Sequence, residues 1–141
     1  MGHKMDYMRI FRRLIRKYEK LDKRTKERLE ADVALWQGES SEELLRKGSL
    51  GGLCYIAMKP YPRVERGIAI NILIHALGDD DAGRRCVAAD TLRWVSWREP
   101  DLLRFEMVFE PKLVTMLKSF AKSPDAKVCQ AAKSILKCRK Q

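Results

Sequence analysis

Four cysteines, two histidines, a knot of glycines and one pair of glutamates are the side chains of this chain that could do chemistry. Zinc is held by thiolates and imidazoles, and its usual sign in a sequence is a C-x-x-C pair. Cys54, Cys86, Cys129 and Cys138 include no such pair, and His3 and His75 are the only histidines. No metal site is therefore expected. Cys129 and Cys138 lie nine residues apart on one expected helix, too far for a disulfide. The default reading is reduced, buried thiols behaving as small hydrophobes, with an intracellular disulfide left open for a hyperthermophile source. His75 lies inside an apolar stretch and reads as a packed side chain rather than a ligand or base. Gly48, Gly51 and Gly52 would let backbone amides approach a phosphate. The G-x-x-x-x-G-K-[ST] spacing and its preceding strand are missing, so a helix break or a close backbone contact is the simpler reading. Glu106 and Glu110 stand one helical turn apart, and a surface pair accounts for them. Asp80 and Asp81 lie where a helix cap is expected. No triad, metal cluster or catalytic acid pair emerges. The expectation is a protein that is not an enzyme and holds no cofactor.

What remains is charge. Lys and Arg number 29 against 19 Asp and Glu, a net of +10. Residues 1–30 hold 11 basic and 5 acidic groups, and residues 60–141 hold 15 and 10. Such a balance suits an acidic partner: nucleic acid, anionic lipid or an acidic protein face. The plain alternative is a well-solvated surface. Arg9, Arg13, Arg16 and Lys20 step by 4, 3 and 4 and should share one side of a helix, with Arg12 beside them. Arg84, Arg85, Arg93 and Arg98 form a second group, and Trp94 and Trp97 stand among them. Cations interleaved with aromatics can stack on bases. The competing placement puts both tryptophans in the core or between repeats. These nine cations are the candidate polyanion-binding or partner-binding residues.

Helix signals run the length of the chain, and no strand pattern interrupts them. Tyr7, Phe11, Leu14, Tyr18 and Leu21 step by 4, 3, 4 and 3, one face of a helix. Asp22 could cap a second helix, so residues 5–37 form either two helices or one long one. Ser40 and Glu43 have capping-box spacing. Residues 62–77 are apolar nearly all round and predict a central buried helix. Gly78-Asp79-Asp80-Asp81 closes it and starts a helix over 82–97. Short helices follow at 101–109 and after Pro111. Ser123-Pro124-Asp125 starts the last one, with Ser123 as the hydroxyl cap. The expected core includes Phe11, Leu14, Leu53, Ile56, Ile68, Ile72, Leu73, Ala88, Leu92, Leu117, Val128 and Ile135.

An internal repeat organises these helices. Arg84-Arg85-Cys86-Val87-Ala88-Ala89-Asp90-Thr91-Leu92 recurs 43 residues later as Lys127-Val128-Cys129-Gln130-Ala131-Ala132-Lys133-Ser134-Ile135. That period belongs to helix-pair arrays, in which each pair covers the open apolar face of its neighbour. The pattern Ala76-Leu77-Gly78-Asp79-Asp80-Asp81, Arg84-Arg85, Ala88-Ala89, Leu92 resembles the HEAT family, and its armadillo relatives more loosely. Phe120 to Leu136 follows the same plan, with Val128 standing where Arg85 stands. The resemblance implies a short all-α, right-handed α-solenoid of about three helix pairs. It implies a structural role between repeats for Asp81 and Arg85, and binding rather than catalysis.

The expected domain is 5–141, with a basic, divergent first part over 5–58 and repeats over 62–97 and 100–138. Met1 to Lys4 reads as an expression scar. A hydrophobic fraction of 45% excludes wholesale disorder. No uncharged window approaches the ~18 residues of a membrane span, and no apolar secretory core opens the chain, so a cytoplasmic protein is expected. Asn71 is the only asparagine, a scarcity of amides that resembles thermophile composition. The function expected is a non-catalytic scaffold binding a protein partner through one helical face. Its alternative is nucleic-acid binding through the phosphate backbone. The oligomeric state is open.

Overall fold

A computed structural model describes residues 5–18 and 21–140. Among these residues the chain is all helical, without a strand. The helices are α1 Tyr7–Lys17, α2 Lys23–Gly38, α3 Ser41–Lys47, α4 Gly52–Met58, α5 Arg63–Ala76, α6 Ala82–Arg98, α7 Pro100–Phe109, α8 Lys112–Phe120 and α9 Ala126–Lys137. No helix among them is long and apolar enough to cross a membrane.

Side-chain caps set most of the starts. The first amides of a helix lack an internal acceptor, and a short acidic or hydroxyl side chain supplies one. Asp22 accepts from Thr25 N at 2.7 Å, which divides the N-terminal segment into α1 and α2. Ser40 accepts from Glu43 N at 3.2 Å and Asp81 from Arg84 N at 2.8 Å. The last start differs from expectation. Asp125, not Ser123, caps α9, accepting from Lys127 N at 3.0 Å and Val128 N at 3.4 Å. The Ser123 hydroxyl instead accepts from Asp125 N at 3.1 Å and holds the turn. Gly48 ends α3 with φ of 51°, a left-handed conformation that glycine adopts without strain. A 3₁₀ turn over Gly48–Leu50 then separates α3 from α4.

The core is built around α5, on which every residue from Glu65 to Ile74 is buried. All twelve side chains expected inside are there, none more than 3% exposed. α5 packs against α1, α4, α6, α7 and α8, and α6 packs against α3, α4 and α9. Ala88, Ala89, Ala131 and Ala132 are wholly buried, and such small side chains let α6 and α9 approach closely. The two helices run side by side in register: Asp90 meets Lys127, Arg93 meets Gln130 and Ser96 meets Ser134. All four cysteines are free thiols. Cys54 and Cys138 are buried, but Cys86 and Cys129 are only half-buried, because their positions lie at the solvent edge of α6 and α9.

Candidate functional site

The structure separates the nine cations into bound and open groups. Arg9, Arg12 and Arg16 are exposed on α1, stepping by 3 and 4. Arg13 leaves that row. Its guanidinium turns inward to the buried carboxylate of Glu110. Lys20 lies outside the described residues. Arg84 is buried and donates to the carbonyl oxygens of Trp36 at 3.1 Å, Gln37 at 3.2 Å and Glu39. These are carbonyls at the end of α2 that have no helical partner. Arg85 is a brace as well. It donates to Asp125 Oδ2 and to the carbonyls of Asp79 and Asp80, each at 2.9 Å, tying the α5–α6 turn to the start of α9.

Arg93 and Arg98 remain, on the last turns of α6, and both lie over rings. The Arg93 guanidinium is 5.0 Å from the centroid of Trp97, and that of Arg98 is 5.7 Å from Trp94. Trp94 is half-buried against the core, but Trp97 is 67% exposed, so the placement of both rings inside does not hold. The reason is helical phase. Ala88, Leu92 and Val95 take the inward face of α6, and Trp97 falls on the stripe that Asp90 and Arg93 share.

Arg98 also lines a cleft of about 370 Å³ between the turn leading into α5 and the start of α7, together with Tyr61, Arg63, Arg66 and Leu102. Arg63 lies 3.8 Å from the centroid of Phe105, and Arg28 lies 5.4 Å from Tyr61. Two more pairs, Lys59 with Tyr55 and Lys17 with Phe109, bring the cation–ring contacts among the described residues to six. A chain of this length would carry about two. The acids at the cleft are matched: Glu99 by Arg66, and Asp101 by Arg104 at 2.6 Å. Among the described residues, Arg63 and Arg98 have no acidic partner. α5 and α7 begin at the rim, and neither has a side-chain cap. Sequence reasoning passed over this corner. Lys59-Pro60-Tyr61-Pro62-Arg63 reads as a helix stop, yet its alternation of cations and rings was the signal to follow.

The second departure lies inside. Glu106 and Glu110 are not a surface pair: they are 0% and 2% exposed. They face a polar stripe on α5 made by Gly67, Asn71 and His75, each four residues apart. Tyr18 OH donates to Glu106 Oε1 at 2.5 Å, and Asn71 Nδ2 donates to Glu110 at 2.8 Å. Glu106 Oε2 has no hydrogen-bond partner among the described residues. Its oxygen rests where a Cβ on residue 67 would stand, 2.4 Å from that position, which is why glycine occupies it. Burial, partly offset by the Tyr18 hydrogen bond and Arg63, pushes Glu106 up to about 7. Burial acts on Glu110 too, but Arg13, Asn71 and Lys17 outweigh it and hold that carboxyl below the usual range. Burial also lowers His75 to about 4, with Lys112 and Arg13 adding to the effect. The cluster is covered by α1, whose Arg13 and C-terminal cap residue Tyr18 bind it, so its role in this structure is to dock α1.

No known family model, curated protein or solved structure matches the chain. The functional reading therefore rests on the residues themselves.

Proposed function

We propose that the chain is a non-catalytic, HEAT-like binding module that holds nucleic acid by its phosphate backbone at the α4–α5 and α6–α7 end. The HEAT-like part is supported by the 43-residue repeat, by the close packing of α6 on α9 and by the Arg85–Asp125 brace between successive turns. In this reading α5/α6 and α8/α9 are successive pairs of a short right-handed solenoid. The observation that carries the ligand class is the pair Arg63 and Arg98. Both line one open cleft without an acidic partner among the described residues, Arg63 against the exposed Phe105 ring and Arg98 against the half-buried Trp94. Guanidinium groups are suited to phosphate, and two of them beside acids already paired with Arg66 and Arg104 leave a positive potential that attracts a polyanion.

A protein partner is the second reading, and it has its own observation. Leu45 and Leu50 are 52% and 77% exposed. Leu45 lines a groove of about 300 Å³ shared with Met58, Val87 and Trp94. Affinity for DNA and RNA measured between ~50 and ~200 mM salt separates the two. A phosphate binder weakens steeply over that range, Arg63→Gln and Arg98→Gln weaken it further, and Leu45→Glu leaves it unchanged. Absence of binding to any nucleic acid at ~50 mM salt, with a cellular protein complex broken by Leu45→Glu, would replace this reading with the protein partner.

A further inference from the structure

Resting on the phosphate-backbone reading, we infer that the bound nucleic acid is single-stranded, with one base stacked on Trp97 and the adjoining phosphates held by Arg98 and Arg63. A backbone site needs only cations. This end of the molecule also holds an indole with two-thirds of its surface in solvent. The Arg93 guanidinium, 5.0 Å from the ring centroid, and the hydrogen bond from Arg93 Nη1 to Gln130 at 3.2 Å fix the side of α6 on which that ring stands. Its ring is thus a prepared platform rather than a stray apolar group. Bases in a duplex already have both faces covered by their neighbours. Only an unpaired base offers a free face to an aromatic side chain, and such stacking tolerates any sequence.

The surrounding charges fit a strand crossing this end. Trp97 and Arg98 are consecutive on α6, so the ring and the cleft cation diverge by about 100° around one helix. A flexible strand can lay a base on the first and a phosphate on the second. On the other flank, the register of α6 with α9 places Ser134 beside Ser96, with their hydroxyls 2.5 Å apart. The exposed Lys133 and Lys137 therefore stand level with Trp97, one helical turn from each other, about 6 Å along the axis. α9 itself carries no acidic residue, and Asp90, the carboxylate on the Trp97 stripe of α6, is paired with Lys127 at 3.1 Å. An acidic peptide would satisfy the arginines and lysines but would bring no planar face to the indole.

The test is fluorescence anisotropy with ~10-nucleotide oligo(dT) and oligo(rU), a duplex of equal length, and polyglutamate as competitor, on the whole chain at several salt concentrations. Either single strand should bind more tightly than the duplex. Trp97→Ala should weaken single-strand binding by about 5- to 150-fold, the range of one lost base stack. Trp97→Phe should keep most of the affinity, which separates loss of stacking from loss of folding. Arg63→Gln and Arg98→Gln should each lower the slope of log affinity against log salt by about 0.7. Equal binding of duplex and single strand, with Trp97→Ala unchanged, would overturn the stacked single strand and leave the backbone reading standing. Polyglutamate competing as well as oligo(dT), or no binding by any oligonucleotide, would overturn both.

Discussion

Glu106 and His75 should pull stability in opposite directions as pH changes. Glu106 titrates near 7 in the folded chain against an ordinary value of 4.5. Because the folded state holds that proton more tightly, its contribution is complete below pH 4.5 and is lost as pH rises toward 7. His75 is the reverse. It is lowered from 6.5 to about 4, so its contribution is complete above 6.5 and is lost as pH falls toward 4. Each window spans about 2.5 pH units, which corresponds to roughly 3 kcal/mol. Over pH 4.5 to 6.5 the two slopes cancel, and the wild type should be nearly flat across that span. Glu110 does not disturb this, because its carboxyl is held below the usual range, so its stabilising contribution is present above 4.5 and is lost only at lower pH.

Glu106→Gln keeps the shape of the protonated acid and removes its titration. Urea unfolding at half-unit pH steps should then show stability climbing by up to about 3 kcal/mol between pH 4.5 and 6.5, the His75 contribution uncovered. At pH 8 the variant should exceed the wild type by up to about 3 kcal/mol. His75→Gln should show the opposite, a fall of similar size between pH 4.5 and 7. Parallel wild-type and Glu106→Gln profiles across this range would mean that the acid is not buried as described. The placement of α7 against α1 and α5 would then be wrong.

Arg13→Gln should destabilise the fold by about 1–3 kcal/mol, since Glu110 keeps Asn71 and the more distant Lys17 and Lys112 but loses its hydrogen-bonded guanidinium. Arg12→Gln, on the exposed side, should stay within about 0.5 kcal/mol in the same urea experiment. Gly67→Ala should cost about 1–3 kcal/mol by pressing on Glu106. In a Glu106→Ala background that cost should vanish, and alanine's helix preference should leave a gain approaching 1 kcal/mol. A thiol reagent in native buffer should label Cys86 and Cys129 first. Cys54, which burial pushes up to about 11, and the buried Cys138 should react only on unfolding, as mass spectrometry of the labelled chain would show.

Periodicity made the helices and the core legible, because burial of apolar side chains at 3.6-residue spacing is a local pattern. The polar interior was not legible for the same reason. Glu106 lies on α7 and Glu110 caps its end one turn later on the same side, and nothing local tells whether that side meets water or α5. The clue was non-local: Gly67, Asn71 and His75 recur every fourth residue on an otherwise apolar helix, and a polar stripe there needs polar partners. Trp97 failed in the opposite way. A large ring is usually packed, but its phase on α6 matches Asp90 and Arg93, not Leu92 and Val95.

Acids decide which arginines are free, and this changes the meaning of a net charge of +10. Arg13, Arg28, Arg66 and Arg85 are bound to Glu110, Glu65, Glu99 and Asp125, and Arg84 is spent on carbonyls. Among the described residues, the arginines without an acidic partner form two sets, Arg9, Arg12 and Arg16 on α1, and Arg63, Arg93 and Arg98 at the cleft end, with Arg24 and Arg139 standing apart from both. Only the second set has exposed rings in contact with its guanidinium groups. Met8, Ile10 and Ile15, the neighbours of the first set along α1, pack against the core instead. The α1 row should therefore act as a solvated surface. Changing Arg9, Arg12 and Arg16 together to Gln should leave the single-strand salt slope unchanged, whereas three phosphate contacts would lower it by about 2. A fall of that size, with Arg63→Gln and Arg98→Gln silent, would move the interface to α1 and show that charge density, not the pairing of cations with rings, selects the binding face.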